Sequence, residues 1–355
     1  MGIKKFRCIA LLLALCCLMI VGCGEAQKPQ QDAQPHEGKQ IEEESDYPNR
    51  PINGIIAWGA GGATDVVSRM IGPLAEEQLG NPIILSNMTG ATGSIGTQFV
   101  YDQKADGYTL LFNAENPPLY PVLGISKLSY AEFIPIVVTD EGYSVILVSN
   151  DSPYNSISDL IDAAKENPGK LNMGITGVGG QPYMGSLILK EVVGAEFNSV
   201  TYDGDGPVMT ALLGGQLDVT IVSFGNAYQY IKNDDVRALC VMSNEVVEGA
   251  EDVPALGIEM PEFQEYVNVP AFFHGVFVKK GTPDLVIQKL SEAFEEAVND
   301  PKFIKFCEEN HYVPLGITGQ EAVDYIEKWQ SQKAWLIHNA GDSVVSPESL
   351  GIPKP

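Results

Sequence analysis

Residues 52–79 read INGIIAWGAGGATDVVSRMIGPLAEEQL, and no other stretch constrains the fold as strongly. An apolar run over 52–58 stops at a glycine-rich turn, Gly59 to Gly62. Apolar residues return at Val66, Val67, Met70, Ile71 and Leu74, the spacing of one helical face. The pattern predicts a buried strand, a sharp turn and an amphipathic helix capped at Thr64 or Asp65. Such a turn leaves backbone N–H groups bare at a helix N-terminus, where partial positive charge suits a carboxylate or phosphate. The plainer alternative is a tight turn that holds no ligand.

Two more turns of this kind follow, at residues 87–96 (NMTGATGSIG) and 177–180 (GVGG). Strands are expected over 82–86, 109–113, 134–138, 144–148, 171–175, 199–202, 217–222, 236–242 and 275–279. Helices are expected over 156–167, with Ser156 as cap and Pro168-Gly169 as stop, and over 206–213, 283–298 and 319–340. An apolar helix also follows the third glycine turn. Alternation throughout predicts α/β architecture with parallel sheets, whose ligands bind at the carboxyl ends of strands. Some 300 residues exceed one simple core and suit two lobes facing across a cleft. The expected divisions are 48–148 with 273–355 as a discontinuous first lobe, and 149–272 as the second.

The amino end reads as a signal. Residues 1–22 hold Lys4, Lys5 and Arg7 and then an apolar run over 9–21, too short for a membrane span and followed by polar sequence. Ile20-Val21-Gly22-Cys23 resembles a bacterial lipobox, which implies acylation of Cys23 as the mature N-terminus. Residues 23–47 are then a lipidated cysteine and a disordered tether, too poor in apolar groups to offset ordering entropy. Cys240 and Cys307 remain in the body, and spacing leaves open whether they pair.

The net charge is −24, and losing Lys4, Lys5 and Arg7 makes it three units more negative. Sequence-independent nucleic-acid binding needs Lys/Arg stripes and is excluded as a class. The field also opposes a small anion, so an anion site must depend on local N–H groups.

Enzyme motifs fail at identifiable positions. The dinucleotide fingerprint breaks at Thr64 in 59–64 and at Pro182 in 177–182, and no phosphate-loop lysine motif occurs. The nucleophile-elbow pattern fails at Thr92. His274 reads as a packed or hydrogen-bonded core histidine, His311 and His338 as solvated, and none has metal-ligand spacing. Neither a catalytic set, a metal nor a cofactor is expected.

The motifs as a set resemble the substrate-binding proteins of tripartite tricarboxylate transporters, the Bug family. The likeness runs through Tyr47-Pro48-Asn49-Arg50-Pro51-Ile52, Gly61-Gly62-Ala63-Thr64-Asp65 with Arg69, and the 87–96 turn. It continues in Ala105-Asp106-Gly107-Tyr108-Thr109-Leu110, the block over 163–171, Leu213-Gly214-Gly215-Gln216-Leu217-Asp218 and Gly281-Thr282-Pro283. These blocks keep the family's order across nearly the whole body.

The resemblance implies a two-lobed, type II periplasmic-binding-protein-like (Venus flytrap) receptor outside the membrane, held there by its lipid. Its ligand would be a small organic carboxylate, passed to a large and a small integral-membrane transporter subunit. The alternative is a ligand-sensing lipoprotein that presents the carboxylate to a signalling receptor. Site residues implied by the loops are Gly61, Gly62, Thr64 and Asp65 on the first side, and Gly179, Gly180, Gln181 and Tyr183 on the second. Gly180 stands where the family has serine and Tyr183 where it has histidine. Residues 201–206 (TYDGDG) replace a block with lysine, so Tyr202 and Asp203 join the site while Asp203 and Asp205 disfavour a polyanion. Trp58 is a candidate to stack on a flat ligand or to pack at the strand end. Asn113, Ser223, Phe224 and Asn226 follow strands, as ligand contacts or turn residues. A monocarboxylate, an aromatic acid or a modest dicarboxylate is expected over citrate.

Overall fold

A computed structural model describes residues 46–202 and 204–355. Residues 1–45, including the expected signal, Cys23 and most of the tether, lie outside the described residues, as does Asp203. Among the described residues no helix is long and apolar enough to cross a membrane.

The strands are β1 (Ile52–Ile56), β2 (Ile83–Asn87), β3 (Thr109–Ala114), β4 (Phe133–Gly142), β5 (Ser144–Ser149) and β6 (Asn172–Ile175). They continue as β7 (Asn198–Thr201), β8 (Val219–Ser223), β9 (Val236–Val241), β10 (Phe272–Lys279) and β11 (Val313–Ile317). The principal helices are α1 (Ala63–Leu79), α2 (Ser94–Tyr101), α3 (Ile157–Glu166), α4 (Gln181–Val193) and α5 (Asp205–Leu213). After them come α6 (Phe224–Lys232), α7 (Asp284–Val298), α8 (Pro301–Glu309) and α9 (Gly319–Asn339).

Two sheets form, in the orders β11-β4-β10-β3-β1-β2 and β7-β6-β8-β5-β9. The opening strand pairs parallel with β2 and β3, as a strand–turn–helix repeat requires. The expectation of parallel sheets throughout is corrected: β10 runs antiparallel to both β3 and β4, and β5 antiparallel to β8 and β9. Apolar strand patterns do not encode direction, and these strands enter where the chain passes from one sheet to the other. The crossing falls at Tyr143, between β4 and β5. β5 belongs to the second sheet.

Local chemistry explains the helix starts. Ser156 accepts from the Asp159 N–H while Asp159 accepts from the Ser156 N–H, a capping box that satisfies the first turn of α3. At α1 the cap is Gly62, so Thr64 and Asp65 lie inside the first turn and no side chain caps that end. One apolar cluster packs α1, α7 and α8 against the first sheet through Ile52, Phe112, Ile71 and Phe294. Another runs from Leu111 and Phe273 to Ile221 and Met184, joining residues of both lobes, with α9 supplying Trp329 and Trp335. Cys240 and Cys307 are buried free thiols in different lobes.

Candidate ligand-binding cleft

The carboxyl ends of β1 and β3 in the first lobe face the loop after β6 in the second, and the space between forms two adjoining chambers. The inner one has about 70 Å³ of room for water centres, against about 300 Å³ in the outer. One water needs about 10–15 Å³ on this measure. The inner chamber therefore admits several waters or a compact ligand.

Three helices begin at the inner chamber. Gly62, Ala63 and Thr64 open α1, Gly180 and Gln181 open α4, and Gly204, Asp205 and Gly206 open α5. In α1 the first helical hydrogen bond runs from the Val66 N–H to the Gly62 carbonyl, in α4 from Met184 to Gly180, and in α5 from Val208 to Gly204. The N–H groups ahead of those positions have no helical acceptor and carry the positive ends of three helix dipoles. Of the three expected glycine turns, the first and third meet here, while residues 89–93 of the second line the outer chamber with Gly177 and Tyr202.

Trp58 lines both chambers, and its indole N–H donates to Asn113 Oδ1 at 2.9 Å. Asn113 is fully buried and also donates to Thr97 Oγ1, so it orients Trp58 from behind. Asp65 likewise faces its own loop. Its carboxylate accepts from the Gly61 N–H at 2.9 Å, from Asn87 Nδ2 and from Arg69 Nε. Burial pushes Asp65 up, but these bonds from Arg69, Gly61 and Asn87 outweigh it and hold the carboxyl below its ordinary range. Gly61 has φ 79°, a left-handed conformation that glycine adopts without strain, which lets its N–H turn inward.

Across the cleft, the Gly179 carbonyl accepts from Asn116 Nδ2 at 2.8 Å, a bond that joins the lobes. Gln181 donates to Ser144 Oγ. The Tyr183 hydroxyl donates to Asp342 beyond α9, away from both chambers. Ser223 and Phe224 are buried behind the cleft, Phe224 against Tyr228 and His311. Asn226 donates to Asp205 Oδ2 at 2.8 Å and acts through it. The structure thus brings Trp58, Gly62, Thr64, Gly180 and Gln181 to the inner chamber, Tyr202 to the outer, and sets Gly61, Asp65, Asn113, Gly179 and Asn226 as supports.

Other inner-chamber residues gave no motif signal: Glu115, Asn116, Thr176, Phe272 and His274. His274 is buried, and its Nδ1 pairs with Asp140 Oδ2 at 2.8 Å. Burial alone pushes the imidazole down, but Asp140, then Glu115 and Asp205, outweigh it and raise its pKa. The Glu115 carboxyl is pushed up to about 7 by burial, and burial also raises Asp205. Lys333, on α9, lines a separate small cavity with Gln181 and Ser144 and is pushed down to about 8 by burial. The sequence shows no cation near these loops because Lys333 arrives from the far end of the chain.

Two histidines depart from expectation. His311 is not solvated: it packs against Tyr228 and Phe224, and burial lowers its pKa. His338 is partly buried and shares a hydrogen bond with Ser343. Among the described residues no cluster of three His, Cys, Asp or Glu could hold a metal ion.

Two α/β lobes presenting helix N-termini to a shared cleft define a solute-binding protein of the periplasmic type. Residues 67–341 match the model of the tripartite tricarboxylate transporter family receptor, and the chain belongs to that family. BugT of Bordetella pertussis is 28% identical over 80% of this chain and 88% of its own. The structure resembles that of the periplasmic binding protein BugD, with TM-score 0.77, 29% identity, and coverage of 84% and 99%. It also resembles MatC from Rhodopseudomonas palustris with bound malate, with TM-score 0.72 over 81% of this chain and 100% of that one. Identity there is 24%, and that likeness speaks for the fold. The family consists of extracytoplasmic solute receptors, not enzymes.

Proposed function

We propose that this chain is a lipid-anchored receptor that captures one small organic carboxylate and hands it to the large and small membrane subunits of a tripartite tricarboxylate-type transporter. The observation that carries the reading is the meeting of three helix N-termini, α1, α4 and α5, at one small chamber. Bare N–H groups from both lobes can share a carboxylate, which favours closed lobes over open ones. The family supports a solute receptor, and malate in a protein of the same fold is in keeping with the ligand class.

A thermal-shift screen of small organic acids, sugars, polyols and amines tests the ligand class. A ligand present at about 100 times its Kd adds roughly 2.7 kcal/mol to stability and raises the melting temperature. At least one carboxylate is expected to do so. A shift confined to ligands without a carboxylate would overturn the reading. The anchor has its own test: labelled palmitate should enter the wild-type chain and fail to enter Cys23→Ser, and equal labelling of both would remove it.

A further inference from the structure

The backbone of the inner chamber is set for an anion, yet its side chains are not. Glu115 is 4% exposed and follows β3, with its own backbone N–H as the hydrogen-bond partner given to it among the described residues. Asp205 has one oxygen held by Asn226 Nδ2. Next to Glu115, Asn116 is 1% exposed and its Oδ1 is a buried acceptor without a partner among the described residues. The orientation of that amide is settled by its other end, because Nδ2 must face the Gly179 carbonyl. The chamber therefore offers three acceptor groups, and among the described residues no Lys or Arg lines it.

The other charges nearby offset this set only in part: His274 acts on both Glu115 and Asp205, and Lys333 on Glu115, but burial still outweighs them and both carboxyls stay raised. Asp140 and His274 compensate one another as a pair. Lys333 sits in the neighbouring cavity beyond Gln181 and makes no ion pair among the described residues. A polyanion would leave Glu115 and Asp205 facing like charge and Asn116 Oδ1 without a donor, each a cost in a buried site. Trp58 and Phe272 add aromatic surface to the same wall, which suits a cation.

We infer that the ligand carries an ammonium group as well as a carboxylate, with Glu115, Asn116 Oδ1 and Asp205 as acceptors for the ammonium and the helix N-termini as donors to the carboxylate. The inference rests on the carboxylate-receptor reading above and narrows it to amino carboxylates. Net charge near zero also answers the acidic surface, since the protein's field repels such a ligand less than a dianion.

Calorimetric titration of the full chain at pH 8 with matched pairs tests the assignment: propionate and L-alanine, butyrate and 4-aminobutyrate, succinate and L-aspartate, adipate and 2-aminoadipate. In at least one pair the amine-bearing member should bind tenfold or more tightly than its partner. Glu115→Gln should reduce that preference about tenfold, and Asp205→Asn should reduce it too, with circular dichroism and melting showing that both variants fold. Amine-free acids binding as tightly as, or more tightly than, their partners throughout would overturn the ammonium site and leave the carboxylate receptor standing. A preference unchanged in both variants would equally overturn the site. Binding by no carboxylate of either kind would remove the receptor reading and this inference together.

Discussion

Glu115 combines near-complete burial with a carboxyl pushed up to about 7, and the sign of its effect on stability follows. An acid whose pKa is higher folded than unfolded stabilises the fold fully below its unfolded value of about 4.5. That contribution is lost as pH rises through about 7. The shift corresponds to about 3 kcal/mol. Without ligand, the wild type should therefore lose stability between pH 5 and 7.5 relative to Glu115→Gln, and at pH 8 the variant should melt higher. Asp205 and His274, both raised, act with the same sign, Asp205 from its ordinary carboxylate range upward and His274 only above its ordinary imidazole range. Lys333, lowered to about 8, acts with the opposite sign only at more alkaline pH. Parallel melting curves for the two proteins at every pH would refute the burial argument.

The buried Asp140–His274 pair gives a second test at this scale. Removing one partner strands a charge away from water, so Asp140→Asn should cost about 3 kcal/mol in urea unfolding. These residues also show what could not be read in advance. Asp65 and Thr64 belong to a recognisable turn, whereas Glu115 and Lys333 are far apart in sequence and come within electrostatic reach of one another only in the folded chain. A single acid after a strand carries no signal of its own.

At the level of elements, the glycine turn before α1 works as a supported loop. Asp65 ties Gly61, Asn87 and Arg69 together beneath the chamber, while Thr64 lines it. Thr64→Ala with Asp65→Ala should weaken ligand binding well over tenfold while far-ultraviolet circular dichroism stays unchanged. Affinity close to wild type would mean that the turn only joins a strand to a helix. Helix and strand positions were legible because periodicity and capping are local: Ser156 caps α3 as its sequence predicts. The antiparallel β10 and β5 were not, because strand direction is decided by where the chain returns. The β11 strand and helix α8 lacked clear signals: β11 is short, interrupted by Pro314 and Gly316, and mostly exposed or half-buried.

For the whole molecule, the lobes, the cleft and the receptor family give one account of a chain whose overall charge opposes the carboxylate group it is proposed to bind. Affinity must come from short-range hydrogen bonding inside a small chamber, so it should depend little on ionic strength. Steering by a charged surface would instead weaken sharply with salt. A more than tenfold loss of affinity between 50 mM and 500 mM sodium chloride would contradict this. The most direct test of the carboxylate clamp compares the tightest-binding acid of the screen with its methyl ester by calorimetry. The ester keeps the carbon skeleton and removes the charge that the helix N-termini would hold. The account predicts one site per chain for the acid and at least a hundredfold weaker binding for the ester. An ester that binds as tightly as the acid would contradict it.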